Sequence, residues 1–258
     1  MNNLQKNKAL KPLTSEGEEQ TPQTNWVLDN SVLTKQQTNL SLTYNNQTHA
    51  IANMPFPLKG VFSRFIKRSF DIALSVIVII SIMSWLVPLL SLLIKLESKG
   101  SVFFVQYRSG KNGVPFKCYK FRSMYINNQA DTLQACMDDI RFTKIGRFIR
   151  RRSIDELPQF FNVLKNDMSV IGPRPHMLMH TEKYKRLLND YMVRHFIKPG
   201  ITGWAQVSGF RGETKKLEEM GKRIQHDVFY LENWSFLFDI RITFKTIWIL
   251  LKKDKKAY

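Results

Sequence analysis

Two acidic residues stand side by side in the segment Ser153-Ile154-Asp155-Glu156-Leu157-Pro158, directly after Arg150, Arg151 and Arg152. Carboxylates beside a cationic cluster stay ionised at low pH. An ionised Asp155 can attack phosphorus, and Glu156 can hold a Mg2+ ion that bridges to phosphate oxygens. The arginines can neutralise the remaining charge of a diphosphate. These are the requirements of phosphoryl transfer. The bland alternative is a helix start, where acids in the first turn favour the dipole and Ser153 or Asp155 caps it.

Three further segments could serve the same chemistry. In Gly172-Pro173-Arg174-Pro175 the prolines fix their own φ angles and bias their predecessors to extended geometry, so Arg174 sits on a stiff backbone. A guanidinium held that way makes a good bidentate phosphate clamp, or merely a rigid turn with a solvent-facing arginine. Along Lys117–Met124, alternation puts Lys120 and Arg122 on one face of a strand, with Tyr119 and Phe121 opposite. The glycine-rich stretches Pro199–Trp204 and Gly209–Glu213, the latter carrying Arg211, have the character of ligand-shaping loops. No Walker loop, G-x-G-x-x-G, G-x-S-x-G or H-E-x-x-H motif occurs, and the five His are dispersed. His176 is placed to line a site or simply to be accommodated.

The elements that must position these residues divide at about residue 60. Residues 1–60 are rich in Asn, Gln, Thr and Ser without a period of 2 or 3.6, which predicts a mobile polar tail and no signal peptide. From Ile72 to Ile94 run 23 uncharged residues, about 35 Å as a straight helix and enough for a hydrocarbon core of about 30 Å. Pro88 lies inside this run with Ser81, Ser84 and Ser91 nearby, and cations flank both ends: Arg64, Lys67 and Arg68 before, Lys95 and Lys99 after. A proline bends a helix, and the positive-inside rule places both ends on the cytoplasmic face. A re-entrant helix over about 66–95, with serines bonding the freed backbone groups, satisfies both observations. A simple span and a buried soluble helix remain open. Asp71 is expected to cap the helix start.

Beyond the run, strands are expected at Val102–Gln106 and Phe116–Phe121 around a glycine turn, then helices near 125–138, 142–151, 155–165, 178–195 and 213–232. Trp234–Leu251 is dense in aromatic and aliphatic residues and ends in Lys252, Lys253, Lys255 and Lys256, which fits an interfacial helix or, alternatively, a core-packed one. The fold class is α+β and mainly helical.

The chain's 39 Lys and Arg against 21 Asp and Glu give a formal charge of +18, of which residues 1–60 supply only +1. An anionic partner is implied: a phosphorylated substrate, an anionic membrane surface or nucleic acid. The aromatics concentrate in apolar stretches instead of interleaving with exposed cations, which speaks against nucleic acid. A hydrophobic fraction of 43% excludes a wholly disordered chain, and Cys118 and Cys136 alone make neither a disulfide framework nor a zinc site.

Taken together, KFRSM (120–124), RRRSIDELPQFFNVLKNDMSVIGPRP (150–175), KPGITGWAQVSGFRGE (198–213) and DVFYLENWSFLFDI (227–240) resemble the bacterial sugar transferase family, the monotopic phosphoglycosyl transferases. The resemblance covers roughly residues 64–253. It implies a re-entrant membrane helix broken at Pro88, a small cytoplasmic domain over 61–258 and interfacial amphipathic helices, on the cytoplasmic face of a bacterial inner membrane. It implies transfer of a sugar 1-phosphate from a UDP-sugar to polyprenyl (undecaprenyl) phosphate, priming exopolysaccharide, capsule or O-antigen-type assembly. By similarity Asp155 is the nucleophile that forms a phosphosugar-enzyme and releases UMP, and Glu156 helps to bind Mg2+. Arg150 and Arg174 match phosphate ligands, while Lys120, Arg122 and Arg211 belong to the substrate-binding wall. The GFRGET segment is similar to that of members using glucose 1-phosphate. Longer members carry an N-terminal membrane bundle and an extra domain where this sequence has a polar tail. Anionic lipid is an expected partner, and a homodimer is compatible with the sequence. A non-catalytic scaffold of polysaccharide machinery is the alternative.

Overall fold

The computed structural model describes residues 56–252 apart from 129–132, 134, 137–138, 213 and 215. Most of the expected N-terminal tail, Glu213, and the basic end at Lys253, Lys255 and Lys256 lie outside the described residues.

The chain is dominated by α1, Val61–Glu97, a helix of 37 residues that is long and apolar enough to cross a membrane. Its polarity is inverted. Lys67, Asp71 and Ser75, spaced four apart, face inward and are buried, while Phe62, Phe65, Val76, Ile77, Ile80, Trp85, Leu89 and Leu92 are exposed. A water-exposed helix would do the reverse. The expected start near residue 66 is corrected to Val61, and Asp71 is not a cap. It lies mid-helix, where its carboxylate accepts from Ser169 Oγ and Val170 N, each at 2.9 Å. A buried carboxylate in the middle of an apolar helix finds no free N–H on its own helix, so its donors must come from another element, here β3.

Pro88 stands inside the regular segment Ser84–Glu97, and the helical irregularity falls upstream as a π turn at Ile79–Met83. Proline withholds the N–H owed to the residue four earlier and crowds its carbonyl, and a locally widened turn absorbs the mismatch. Two of the expected serines bond upstream carbonyls, Ser81 Oγ to Ile77 O at 2.6 Å and Ser84 Oγ to Ile80 O at 2.7 Å.

Strands β1 (Phe103–Ser109) and β2 (Pro115–Phe121) form the expected hairpin, antiparallel with Gln106 opposite Cys118 and Phe104 opposite Lys120. The fully buried Asn162 completes the outer edge of β2, accepting from Tyr119 N and donating to Lys117 O. The helix expected near 125–138 is absent from residues 125–128, where Tyr125 N instead donates to Arg141 O. Helix α2 (Lys144–Arg151) starts under a Thr143 cap and leads into the acidic pair. The helix expected over 155–165 splits at Pro158 into a 3-10 turn, Ile154–Glu156, and α3, Gln159–Leu164, because proline is tolerated only at a helix start.

A short parallel pair, β3 (Ser169–Ile171) and β4 (Gly200–Thr202), brings Gly172 and Gly200 so close that a Cβ on Gly200 would collide with the Gly172 backbone. The helix expected over 178–195 is α4, Leu178–Tyr184, followed by a separate 3-10 turn at Tyr191–Phe196. After α5 (Trp204–Val207) come α6 (Leu217–Glu232) and α7 (Phe236–Leu251). The main core gathers Met83, Phe160, Val163, Met168, Ile171, Tyr230, Trp234 and Ile242, and a second core joins Leu90 and Ile94 of α1 to Val102, Phe121 and Ile149.

Both limbs of α1 reach the acidic segment. Arg68, on the first limb, donates to the Val163 and Leu164 carbonyls that end α3, at 2.7 and 3.1 Å. Glu97, at the far end, accepts from the Lys144 and Ile145 amides that begin α2, at 2.5 and 2.9 Å. Both contacts place charge where a helix terminus favours it. One long helix thus fixes the elements before and after Asp155.

Candidate active site

The backbone between α2 and α3 turns sharply. Ser153 adopts the left-handed region at φ 56°, uncommon for a residue with a Cβ, and no side-chain cap forms there. The capping alternative is therefore not what this turn does. Ser153 Oγ instead accepts a hydrogen bond from Arg211 Nη2, tying the loop at 209–212 to the acidic turn.

Asp155 and Glu156 are both buried against solvent, yet both line a cavity of about 390 Å³. Lys120, Arg122, Arg150, Arg174 and Arg211 line it too. All seven sequence-nominated site residues thus line one cavity, drawn from β2 and the residue after it, α2, the 3-10 turn and the loops after β3 and α5.

The two carboxylates differ in their partners. Glu156 takes a fork from Arg174, Nη1 to Oε2 at 2.9 Å and Nη2 to Oε1 at 2.6 Å, and a third bond from Lys120 Nζ to Oε1 at 2.5 Å. Burial pushes its pKa up, but the Arg174 and Lys120 charges outweigh that and hold it well below the usual glutamate range. The hydrogen bonds of Lys120 and Arg174 go to Glu156 and not to Asp155. Burial raises the Asp155 pKa, opposed first by the Lys120 charge and reinforced by Glu156. Lys120 itself is lowered by burial against the pull of Glu156.

Arg150 lies over the Phe142 ring at 4.9 Å on the cavity wall. Arg122 donates to the Lys99 and Ser98 carbonyls at 2.5 and 2.8 Å, gripping the exit of α1. His176 is buried on the wall and held far below its ordinary pKa by burial and by the Arg194 charge.

Several residues with roles here escaped sequence reasoning. Arg108 spends Nε and Nη2 on Gln106 Oε1 and Nη1 on Pro175 O, on the same cavity wall. Arg194 is buried, pairs with Asp227 at 2.9 Å and donates to Arg174 O at 2.7 Å. Nothing in their local sequence separates them from surface arginines. Alternation along β1 could have shown that Gln106 and Arg108 share a face.

A Mg2+ ion suits the donor set in kind. Among the described residues no three His, Cys, Asp or Glu converge, so a cage made wholly of protein groups is not built. Mg2+ commonly takes one or two carboxylates and completes its shell with phosphate oxygens and water. Glu156 Oε2 receives one donor and keeps an acceptor position, and Asp155 stands beside it.

The model of the bacterial sugar transferase family matches residues 62–253. The chain is 50% identical over 192 residues to the UDP-glucose:undecaprenyl-phosphate glucose-1-phosphate transferase of Escherichia coli (strain K12), covering 74% of this chain and 41% of that protein. It is 46% identical over 188 residues to the UDP-N-acetylgalactosamine-undecaprenyl-phosphate N-acetylgalactosaminephosphotransferase of Aeromonas hydrophila, covering 72% and 44%. It is 41% identical over 195 residues to an exopolysaccharide production protein of Rhizobium leguminosarum bv. phaseoli, covering 74% of this chain and 97% of that one. The chain thus spans well under half the length of the first two and nearly all of the third.

Proposed function

Because the chain belongs to the bacterial sugar transferase family, we propose that it transfers a hexose 1-phosphate from a UDP-sugar to undecaprenyl phosphate, the priming step of exopolysaccharide-type glycan assembly. Asp155 attacks the sugar-bearing β-phosphorus. A carboxylate oxygen–phosphorus bond forms, the bond to the bridging oxygen breaks, and UMP leaves with that oxygen. A phosphate oxygen of the lipid then attacks the same phosphorus, forming the lipid diphosphate sugar and restoring the Asp155 carboxylate. Two anionic substrates are thereby handled in turn.

The observation that carries this reading is Asp155 on the cavity wall among Lys120, Arg150, Arg174 and Arg211, with Lys120 and Arg174 already committed to its neighbour. Cations fixed around the reacting phosphorus stabilise charge without reorganising. Glu156 would hold Mg2+ together with diphosphate oxygens, and the ion supplies charge neutralisation when bound. Identities of 50% to a UDP-glucose enzyme and 46% to a UDP-N-acetylgalactosamine enzyme support a UDP-sugar donor, and glucose is our first choice.

The site works at the cytoplasmic face of the inner membrane, within a transferase domain over 61–258. In this reading α1 enters and returns, since Arg68 and Glu97, on its two limbs, both bind the elements flanking Asp155. The exposed apolar surface near its middle sits in lipid, with Lys67 and Asp71 paired inward. Helix α7 buries only Asp239 and Ile242 and exposes Leu237, Phe244, Trp248 and Leu251, which supports an interfacial position over a core-packed one.

The test uses the detergent-solubilised full chain, Mg2+ and a panel of UDP-sugars without lipid. UMP release stoichiometric with protein, together with a protein-bound phosphosugar, is expected, and both vanish in Asp155→Asn. A fully active Asp155→Asn chain would falsify the nucleophile assignment, and lipid-dependent UMP release alone would favour direct transfer.

A further inference from the structure

Resting on the transfer reaction above, we infer that Arg108 and Arg194 are positioning residues that set where the Arg174 guanidinium stands for the donor diphosphate, by gripping the main chain of its turn. Four consecutive carbonyls of this turn accept hydrogen bonds from four residues in three places, β1 supplying two of them. Pro173 O accepts from Gly200 N at 2.9 Å, Arg174 O from Arg194 Nη2 at 2.7 Å, Pro175 O from Arg108 Nη1 at 2.9 Å, and His176 O from Ser109 N at 3.0 Å. Two of the four donors are side chains brought from distant sequence. Pro173 and Pro175 have no N–H of their own, so the turn cannot stiffen itself by short-range bonding and its carbonyls must be held from outside.

The two arginines are themselves braced. Arg108 directs Nε and Nη2 at one acceptor, Gln106 Oε1, at 2.9 and 2.6 Å, which fixes the plane of its guanidinium. Arg194 Nη2 lies 2.9 Å from the buried Asp227 carboxylate as an ion pair without hydrogen-bond geometry, and its Nη1 lies 2.7 Å from His176 Nδ1. Burying a guanidinium is costly, and for fold stability alone apolar side chains would serve as well or better. Half-buried Arg108 carries part of that cost against a neutral amide and a carbonyl, on the wall of the cavity where a diphosphate would sit. A guanidinium clamp depends on sub-ångström placement of both prongs, and a loosened backbone would lose the fork before it lost the fold.

The experiment is a double-mutant cycle on the full chain in detergent, reading the KM and kcat for UDP-glucose from UMP release with undecaprenyl phosphate present at saturation, so that the enzyme turns over. Arg108→Met should raise KM about tenfold, with a smaller loss in kcat, in the otherwise unchanged chain. In an Arg174→Ala background the same change should move KM less than about twofold, because the group it positions has gone. Arg108→Lys, which can still donate to Pro175 O, should recover part of the loss. If Arg108→Met fails to fold, Gln106→Leu frees the guanidinium while keeping its charge, and the same non-additivity is expected. The neutral pair Arg194→Gln with Asp227→Asn should follow the pattern. Effects that multiply across the two backgrounds would make Arg108 a direct phosphate contact or a general stability residue, and the inference would fall. An unchanged KM in Arg108→Met would do the same. A wild-type chain that releases no UMP from any UDP-sugar would instead overturn the reaction on which this clamp rests.

Discussion

Asp239 and Asp155 are both buried aspartates close to lysine, and they differ in what surrounds them. Asp239, on α7, accepts from Lys67 Nζ at 2.9 Å, Tyr230 OH at 2.6 Å and Trp234 Nε1 at 3.0 Å. Asp71 nearby is satisfied in the same way by Ser169 and Val170. The Lys67, Ser169 and Val170 donors fasten α1 to α7 and β3, and those from Tyr230 and Trp234 hold α7 against the end of α6. Around Asp155 the cations are as dense, but Lys120 and Arg174 direct their hydrogen bonds at Glu156 and leave Asp155 on the cavity wall. A saturated buried acid behaves as a structural joint, whereas one that faces open volume among preorganised cations is equipped for chemistry. Sequence alone does not separate the two, since both are Asp in a basic, aromatic-rich chain.

The largest effects should exchange roles between the clusters. Asp155→Asn should lower the donor half-reaction by about 10⁴-fold or more while leaving the thermal midpoint equal or higher. Burial disfavours the charge at that position, so a neutral amide is easily accommodated. Asp239→Ala should do the opposite, costing about 3–5 kcal/mol of stability because Lys67 is left buried without its partner. Activity assays and thermal unfolding on the same detergent preparations decide this. An inactive Asp239→Ala chain that melts like wild type would erase the distinction.

Next in size, Arg174→Ala should reduce kcat/KM by about 10²-fold, as expected for one preorganised charge at the reacting phosphorus. The same substitution removes the fork that depresses Glu156, so the stability that this carboxylate contributes near neutral pH should shrink and the fold should lose less on acidification than wild type does. A loss confined to stability, with kcat/KM intact, would make Arg174 another structural joint.

Much of the site was legible in the sequence, and its legibility followed chain continuity. The Arg150-to-Pro158 segment carries acids and cations within one helical turn and a bend, so residue types and short spacings suffice to bring them together. The strand through Lys120 is legible through its alternation, but it ends at Phe121, and Arg122, expected on the same strand face, lies just past it. Arg108, Arg194 and Asp227 were not, because their roles come from packing against a turn many residues away. The place of Asp71 is hidden in the sequence for the same reason. A carboxylate near the start of an apolar run suggests a cap, but β3 supplies its donors, and no local pattern announces β3. The split at Pro158 and the π turn upstream of Pro88 show proline setting where a helix is disturbed while tertiary contacts set how.

Acidification offers a finer separation. The folded Asp155 pKa is raised, so its ionised form is lost as pH falls through a value above the ordinary aspartate range. The folded Glu156 pKa is depressed, so its stabilising contribution is complete above the ordinary glutamate value and is lost gradually as pH falls from there through a much lower one. UMP release should therefore disappear on acidification while the thermal midpoint still holds. Lys120→Met removes the charge that most lowers Asp155, and the acid limb of kcat/KM should then move toward neutral pH. A limb that stays in place would mean that another group controls it.

The smallest effect probes the joint at one of its two bonds to β3. Ser169 Oγ donates to Asp71 Oδ1 at 2.9 Å, and Val170 N donates to the same oxygen at 2.9 Å. Ser169→Ala removes one of these donors but leaves the carboxylate attached to β3 through the backbone, so the loss should be about 1 kcal/mol. For a domain of this size that corresponds to about 2–4 °C in thermal midpoint. The turnover of UDP-glucose should remain within about twofold of wild type, because the remaining amide still sets how α1 lies on β3. If kcat fell by an order of magnitude with so small a shift in melting, the joint and the site would be one coupled unit, and the position of α1 would have to be counted among the determinants of the reaction.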